Sequence, residues 1–256
     1  FGERNLFHRL WSDPNNGFSK TTVNWRTCPR LNEIEMEGER KASDSVTFSQ
    51  EFENEFHGEV DSEFPNSLLQ TCVDPEMQYE VNARGDRAGF DVGRRRDLSS
   101  IVIVRKSLKT KDSTYHVIEK HTWAGIPFEE QQNRALAIVG RVGELVIDQG
   151  GMGEAPAEWL RARASNVRGV LFTNEYKTAM FQNLKRLFEQ RRIAIPFDAR
   201  LMASLNSIRR YYKLGRVVID AERTDETGHA DEATALAMAC FEPPSIPVGE
   251  VLHIDW

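Results

Sequence analysis

The spacing of hydrophobic positions changes along the chain and divides it into two parts. Up to residue 84 sustained periodicity is missing, except that aromatic residues four positions apart over residues 48–56 predict a short helix. In the second part, apolar segments cover residues 87–92, 100–105 and 114–122, with short turns between them. Such segments predict three antiparallel strands that follow one another directly.

From Pro127 onward, helical and extended patterns alternate. Pro127 opens a segment with apolar positions at helical spacing, and residues 144–148 have the pattern of a fully buried strand. Residues 176–188 predict a long amphipathic helix, and the Ala-rich segment from Asp231 is also helical. The whole order predicts an α/β fold, in which a mixed sheet of three antiparallel strands and then parallel strands is flanked by helices. Further predictions are helices over residues 66–72, 155–163 and 197–210 and strands over residues 168–172 and 217–219.

Charge separates the same two parts. Residues 1–80 carry 7 Lys or Arg against 16 Asp or Glu, whereas residues 81–256 carry 26 against 23. A polyanion such as DNA is therefore expected to contact the second part. No apolar run reaches the roughly 18–20 residues of a membrane span, so no membrane partner is expected. The chain begins with Phe1, and we expect N-terminal elements to be missing from it.

Three aspartates on separate apolar segments carry the candidate chemistry. Asp91 lies inside or at the end of the first predicted strand, Asp148 ends another, and Asp231 opens the Ala-rich helix. Ligands of such sheets gather at the carboxyl ends of the strands, and carboxylates that meet there repel one another unless a cation holds them. Purely structural interpretations stay open: an Asx turn for Asp91, a turn or helix cap for Asp148, and stabilisation of a helix N-terminus for Asp231.

Other charged residues adjoin these aspartates. A run of arginines, Arg94, Arg95 and Arg96, follows the first strand and is either a solvated loop or a phosphate-binding segment. Asp97 comes directly after the run. His229 lies before the Ala-rich helix and is either a supporting residue behind a metal ligand or an ordinary loop histidine.

The order of these motifs resembles the RNase H-like nuclease domain of tailed-phage large terminases, with particular likeness to those of Mu-like phages and prophages. The segment Phe90-Asp91-Val92-Gly93, with Asp97 after it, is similar to the first acidic motif of that family. Asp148 matches the second motif, and His229-Ala230-Asp231 matches the third.

The resemblance also implies a division of the chain. Residues 1–8 look like the segment just after the coupling motif of a terminase ATPase domain, and residues 48–56 resemble the linker before the nuclease. Residues 1–84 are then expected to be a remnant of the ATPase domain with its linker, and residues 85–242 the RNase H-like nuclease domain. Residues 243–256 are expected to be a C-terminal tail.

The same resemblance implies a metal-dependent endonuclease that cleaves double-stranded viral DNA during genome packaging. Asp91, Asp148 and Asp231 would be its catalytic residues and would hold two Mg²⁺ or Mn²⁺ ions, roughly 3.5–4 Å apart, with Asp97 as an additional ligand. Glu232 is a departure from the family, and whether Asp231 or Glu232 faces the ions is left open; the other would support the site from behind, as would the histidine at 229.

Partners follow from the same resemblance. The arginine run at 94–96 would bind the DNA, and the portal and the small terminase subunit are the expected protein partners, in the host cytoplasm. Two alternatives are carried alongside: a resolvase or transposase-type nuclease of the same fold, and a packaging-motor docking module without catalysis.

Overall fold

The described residues include the predicted sheet and most of the helices around it. Within them, no helix is both long and apolar enough to cross a membrane. The computed structural model describes residues 10–11, 17–55, 62–93, 98–107, 113–213, 216–221 and 230–242.

The three predicted antiparallel strands are confirmed. They are β1 (Gly85–Asp91), β2 (Leu98–Ser107) and β3 (Thr114–Ala124), and each pairs antiparallel with the next. In β2, Ile101 and Ile103 face one core while Val102 and Val104 face the other. The apolar run of β2 is therefore continuous because both faces of the sheet are covered.

Parallel strands extend this sheet at both edges. Strand β4 (Val142–Asp148) pairs parallel with β1, and β5 (Val167–Val170) pairs parallel with β4. At the opposite edge, β6 (Ile193–Ala194) pairs parallel with β3. The order across the sheet is β5-β4-β1-β2-β3-β6, which confirms the predicted α/β fold with a mixed sheet.

Helices cover the two faces of the sheet. One face packs against α4 (Phe128–Val139) and α5 (Glu154–Arg161). The other packs against α6 (Asn174–Glu189), α7 (Ala199–Asn206) and α8 (Asp231–Cys240). Every residue of α8 is buried, which explains its Ala-rich composition.

Helix α8 lies unusually close to strand β1. A Cβ atom added at Gly89 would come within 2.0 Å of the Ala235 backbone oxygen, so only glycine fits at that point of the strand. The close contact at Gly89 places α8 directly over β1. Strand β1 ends at Asp91, and α8 begins at Asp231.

The described residues of the acidic N-terminal part include α-helices, and this part packs on the sheet domain. Phe64 and the helical Leu69 lie in the same core as α6 and α8. A buried ionic group, hereafter the junction network, joins this part to the sheet domain through Asp44, Glu63, Lys185 and Arg210. The helices are α1 (Glu33–Ala42), α2 (Ser45–Phe52) and α3 (Asn66–Gln70).

One predicted helix is shorter in the structure than the sequence pattern indicates. The helix predicted over residues 197–210 ends at Asn206, and the chain continues as β7 (Ile208–Lys213), which forms a hairpin with β8 (Arg216–Ala221). Buried Ile208 and Arg210 alternate with more exposed neighbours, and this period of two favours a strand.

The N-terminal helices also differ from the sequence predictions. Helix α1 forms in a segment for which the hydrophobic periodicity predicted no helix, and the Asn32 side chain caps it by accepting a hydrogen bond from the Glu35 amide. Helix α2 ends at Phe52, before the end of the predicted helix over residues 48–56.

Candidate metal centre

Two of the three aspartates end neighbouring parallel strands. Phe90 of β1 pairs with Ile147 of β4, and Asp91 and Asp148 are the next residue on each strand. Strands that are parallel and adjacent bring their carboxyl ends to the same edge of the sheet, so the two carboxylates face one pocket.

The third aspartate arrives from helix α8. Asp231 is the first helical residue, and the residue before it, Ala230, has a left-handed backbone conformation with φ of 61°. This conformation is strained for alanine, at a cost on the order of 1 kcal/mol. Asp231 is 4% exposed and lines the same pocket as the two strand aspartates.

The pocket that these three residues share, hereafter the acidic pocket, has a volume of about 330 Å³. Asp91, Asp148 and Asp231 come from segments that are far apart in the chain, so the fold is what brings them together. The other lining residues are Val92, Gly93, Gly150, Gly153, Phe172, Lys177, Phe181, Asp220, Ala221 and Thr234.

Electrostatics in the acidic pocket disfavour ionised carboxylates. Burial raises the pKa of Asp91 well above its ordinary value, and the charges of Asp231 and Asp148 raise it further. Burial also raises the pKa of Asp148, although the Gly150 amide donates a 2.8 Å hydrogen bond to its carboxylate. The pocket thus concentrates more negative charge than its own residues neutralise.

One cation and one hydroxyl moderate this repulsion. The Lys177 ammonium lowers the pKa of both Asp91 and Asp148, and the Thr234 hydroxyl donates a hydrogen bond to Asp91. Lys177 itself lies 3.0 Å from an oxygen of Asp220, on the hairpin strand β8. The lysine is therefore shared between the pocket and the hairpin.

The ligand types of the pocket suit a hard divalent cation. Carboxylate oxygens are what Mg²⁺ and Mn²⁺ prefer in proteins. As placed, no three described carboxylate, imidazole or thiol groups stand close enough together to hold one ion. The pocket therefore offers ligand types that suit such a cation, but the described groups do not form a closed ligand set.

Glu232 points away from the acidic pocket. Its carboxylate lies 2.8 Å from the Lys120 ammonium and accepts a 2.8 Å hydrogen bond from the Thr122 hydroxyl, both on β3. It is therefore Asp231, and not its neighbour, that lines the pocket. The arginine run at 94–96, Asp97 and His229 lie outside the described residues.

Sequence reasoning missed Lys177, Asp220 and Thr234. Thr234 could have been found, because it lies three residues after Asp231 on the same face of the helix. Lys177 had no such signal, since a lysine in the first turns of an amphipathic helix usually faces solvent. Asp220 depends on a hairpin that only part of the sequence pattern predicted.

Comparisons with known proteins agree with this architecture. The nuclease of the large terminase from the thermophilic phage G20c, solved with bound magnesium, is 24% identical with a TM-score of 0.56, covering 70% of this chain and 95% of that one. The same nuclease with bound cobalt is 24% identical with a TM-score of 0.55 and the same coverage. The large terminase of another thermophilic bacteriophage is 8% identical with a TM-score of 0.62, covering 92% of this chain and 60% of that one.

These structural matches, each under 25% identical, support the fold alone. No curated protein sequence matched the chain. A family match carries more weight, because it extends over more than half of the residues: the terminase RNaseH-like domain family matches residues 88–242. The chain therefore belongs to the terminase RNaseH-like domain family.

Proposed function

We propose that the protein is a divalent-metal-dependent endonuclease that cleaves double-stranded viral DNA during genome packaging, as the nuclease part of a large terminase subunit. The observation that carries this proposal is the acidic pocket itself. In a member of the terminase family, three carboxylates from distant segments line one pocket at the carboxyl ends of the strands.

Asp91, Asp148 and Asp231 would hold the metal, and we propose two Mg²⁺ or Mn²⁺ ions. Bound there, divalent ions would supply positive charge that stabilises phosphoryl oxygens and makes a water molecule more acidic. Asp97 is proposed as a further ligand, and the arginine run at 94–96 as a contact for the DNA backbone.

The remaining pocket residues orient these carboxylates. The Thr234 hydroxyl holds Asp91, and backbone amides at Gly150 and Phe172 hold Asp148. Gly153 allows the turn after β4 to close tightly, because a Cβ there would lie 1.8 Å from the Asp148 carbonyl oxygen. Fixed donors of this kind hold the ligands in place without reorganisation during the reaction.

The biological setting is proposed from the sequence motifs. We infer a large terminase of the Mu-like type that acts in the host cytoplasm, with the portal and the small terminase subunit as partners. Glu232 and His229 are proposed to support the site from behind, and the salt bridge between Glu232 and Lys120 anchors the first turn of α8 to β3.

Plasmid nicking with Mn²⁺ tests the proposal. Asp91→Asn and Asp148→Asn should each abolish nicking while circular dichroism shows an intact fold. Asp86→Asn is the matched control, because Asp86 is an exposed residue at the other end of strand β1. Nicking that survives both pocket substitutions would refute the assignment, and a protein that does not bind Mn²⁺ in calorimetry would favour the docking module.

A further inference from the structure

Lys177 is the single basic residue among the described residues that line the acidic pocket. Four aspartates line the same pocket, namely Asp91, Asp148, Asp231 and Asp220. A lysine side chain has four carbon atoms and three rotatable donors, so it reaches several anions from one backbone position.

Asp220 holds this lysine at the edge of the pocket. The Lys177 ammonium lies 3.0 Å from Asp220, and the two side chains are 27% and 56% exposed, respectively. Asp91 and Asp148 attract the same ammonium from inside the pocket, as the pKa effect on both shows. Lys177 therefore lies between the carboxylates of the pocket and solvent.

Asp91 and Asp148 interact with the Lys177 ammonium, and they are also the residues that would hold a divalent cation. With a cation bound to these carboxylates, the ammonium would lose part of its attraction to them and would be available for another anion. Its partner Asp220 is half-exposed, and that ion pair contributes little in water. The anion that comes with a DNA substrate is a phosphate of the backbone, for which lysine is a common ligand.

We propose that Lys177 is a further catalytic residue of the nuclease, whose ammonium binds a non-bridging oxygen of the DNA phosphate in the acidic pocket. Asp220 is the positioning residue that keeps the ammonium at the pocket edge before DNA arrives. This inference depends on the proposed function, since it assigns a substrate contact in the same site.

The Lys177→Met variant tests the contact, because methionine keeps most of the side-chain volume without the charge. Mn²⁺ binding, measured by calorimetry, should tighten by about threefold to tenfold, since a competing positive charge is gone. The rate of plasmid nicking at saturating Mn²⁺ should nevertheless fall by about 10- to 100-fold, as expected when a charged hydrogen bond to the transition state is lost.

Opposite signs in these two measurements distinguish the roles that Lys177 could have. Tighter Mn²⁺ binding with an unchanged nicking rate would overturn the proposal and leave the lysine as a mere counter-ion. Loss of both Mn²⁺ binding and nicking would also overturn it, in favour of a structural role. Lys177→Arg should retain more nicking than Lys177→Met. Lys41→Met is the control, because Lys41 is an exposed lysine that does not line the pocket.

Asp148→Asn separates this proposal from the function on which it depends. If Asp148→Asn stops nicking and Lys177→Met does not, only the role of Lys177 is wrong. If Asp148→Asn nicks like the wild type, the proposed function itself is wrong.

The Asp220→Ala variant tests the role of Asp220 as the positioning residue. The substitution should weaken Mn²⁺ binding in the wild type but not in the Lys177→Met background. Weaker Mn²⁺ binding in both backgrounds would overturn that role.

Discussion

The acidic pocket and the junction network contain the same kinds of residue and balance their charges differently. In the junction network, Arg210 donates to both Glu63 and Asp44, and Lys185 lies 3.3 Å from Glu63. All four side chains are at most 6% exposed. Two cations therefore balance two buried carboxylates, whereas the acidic pocket sets one partly exposed lysine against four aspartates.

The carboxyl pKa values differ in the same way. Burial acts to raise the pKa of Asp44, but Arg210, hydrogen bonds from Thr47 and the charge of Lys185 outweigh it, and the pKa falls below its ordinary value. The pKa of Asp91 is raised, because burial and neighbouring carboxylates act in the same direction. Asp44 is a buried carboxylate that is paired with cations, and removing such a partner destabilises a fold. Asp91 is a buried carboxylate surrounded mainly by other carboxylates, and a raised pKa of this kind is typical of a functional site.

The largest expected effect is on the junction network. Arg210→Met removes the cation shared by two buried carboxylates, and we expect the free energy of unfolding to fall by about 3–5 kcal/mol in urea denaturation. Arg134→Met is the matched control, because Arg134 forms an exposed pair with Glu130 and should cost about 1 kcal/mol or less. Equal effects of the two substitutions would show that the junction network does not stabilise the fold.

The sequence predicted most of the aspartates of the acidic pocket but none of the junction network. Three of the four aspartates of the pocket follow strong local signals, because Asp91 and Asp148 each lie at the end of an apolar segment and Asp231 starts an Ala-rich one. The junction network joins residues up to 166 positions apart, and none of its members has a local pattern that indicates a partner. Pairing of this kind depends on the tertiary fold, which single-sequence periodicity does not encode.

The helices and strands were also predicted only where their sequence pattern is local and strong. Strands β1 to β4 could be predicted because apolar runs between turns identify them, and they carry two of the three aspartates that the sequence predicted for the site. The end of α7 was missed, since the alternation that begins at Ile208 is short and includes the buried Arg210. Lys177 was missed because its neighbours in the pocket come from other elements of the chain.

The second prediction disturbs the acidic pocket without changing a charge. Gly89→Ala forces α8 away from β1, because the new Cβ would lie 2.0 Å from the Ala235 oxygen. We expect a loss of about 1–3 kcal/mol in the free energy of unfolding, together with weaker Mn²⁺ binding as Asp231 moves. Gly38→Ala is the control: nothing lies within 4 Å of the added Cβ on helix α1, so stability should be unchanged or up to about 1 kcal/mol higher.

The third prediction uses pH to isolate one charge of the junction network. Asp44→Asn keeps the helix cap and should cost about 1–3 kcal/mol at neutral pH, because the charged hydrogen bond to Arg210 is weakened. A lowered folded-state pKa adds stability above the unfolded value, about 3.9, and loses it as pH falls through the folded value. The difference between wild type and variant, measured by urea denaturation, should therefore shrink below about pH 4. A difference that is constant down to acid pH would contradict the ion pair.

The smallest effect is expected in the acidic pocket and has the opposite sign. Asp91→Asn removes one of several mutually repelling carboxylates but leaves an oxygen to accept from Thr234. In EDTA at neutral pH, the free energy of unfolding should rise by about 1 kcal/mol, as is common when a functional site is neutralised. Adding Mn²⁺ should stabilise the wild type and not the variant, because only the wild type has the full ligand set. Destabilisation in EDTA would instead place Asp91 with the structural acids of the junction network, and the contrast between the two clusters would fail.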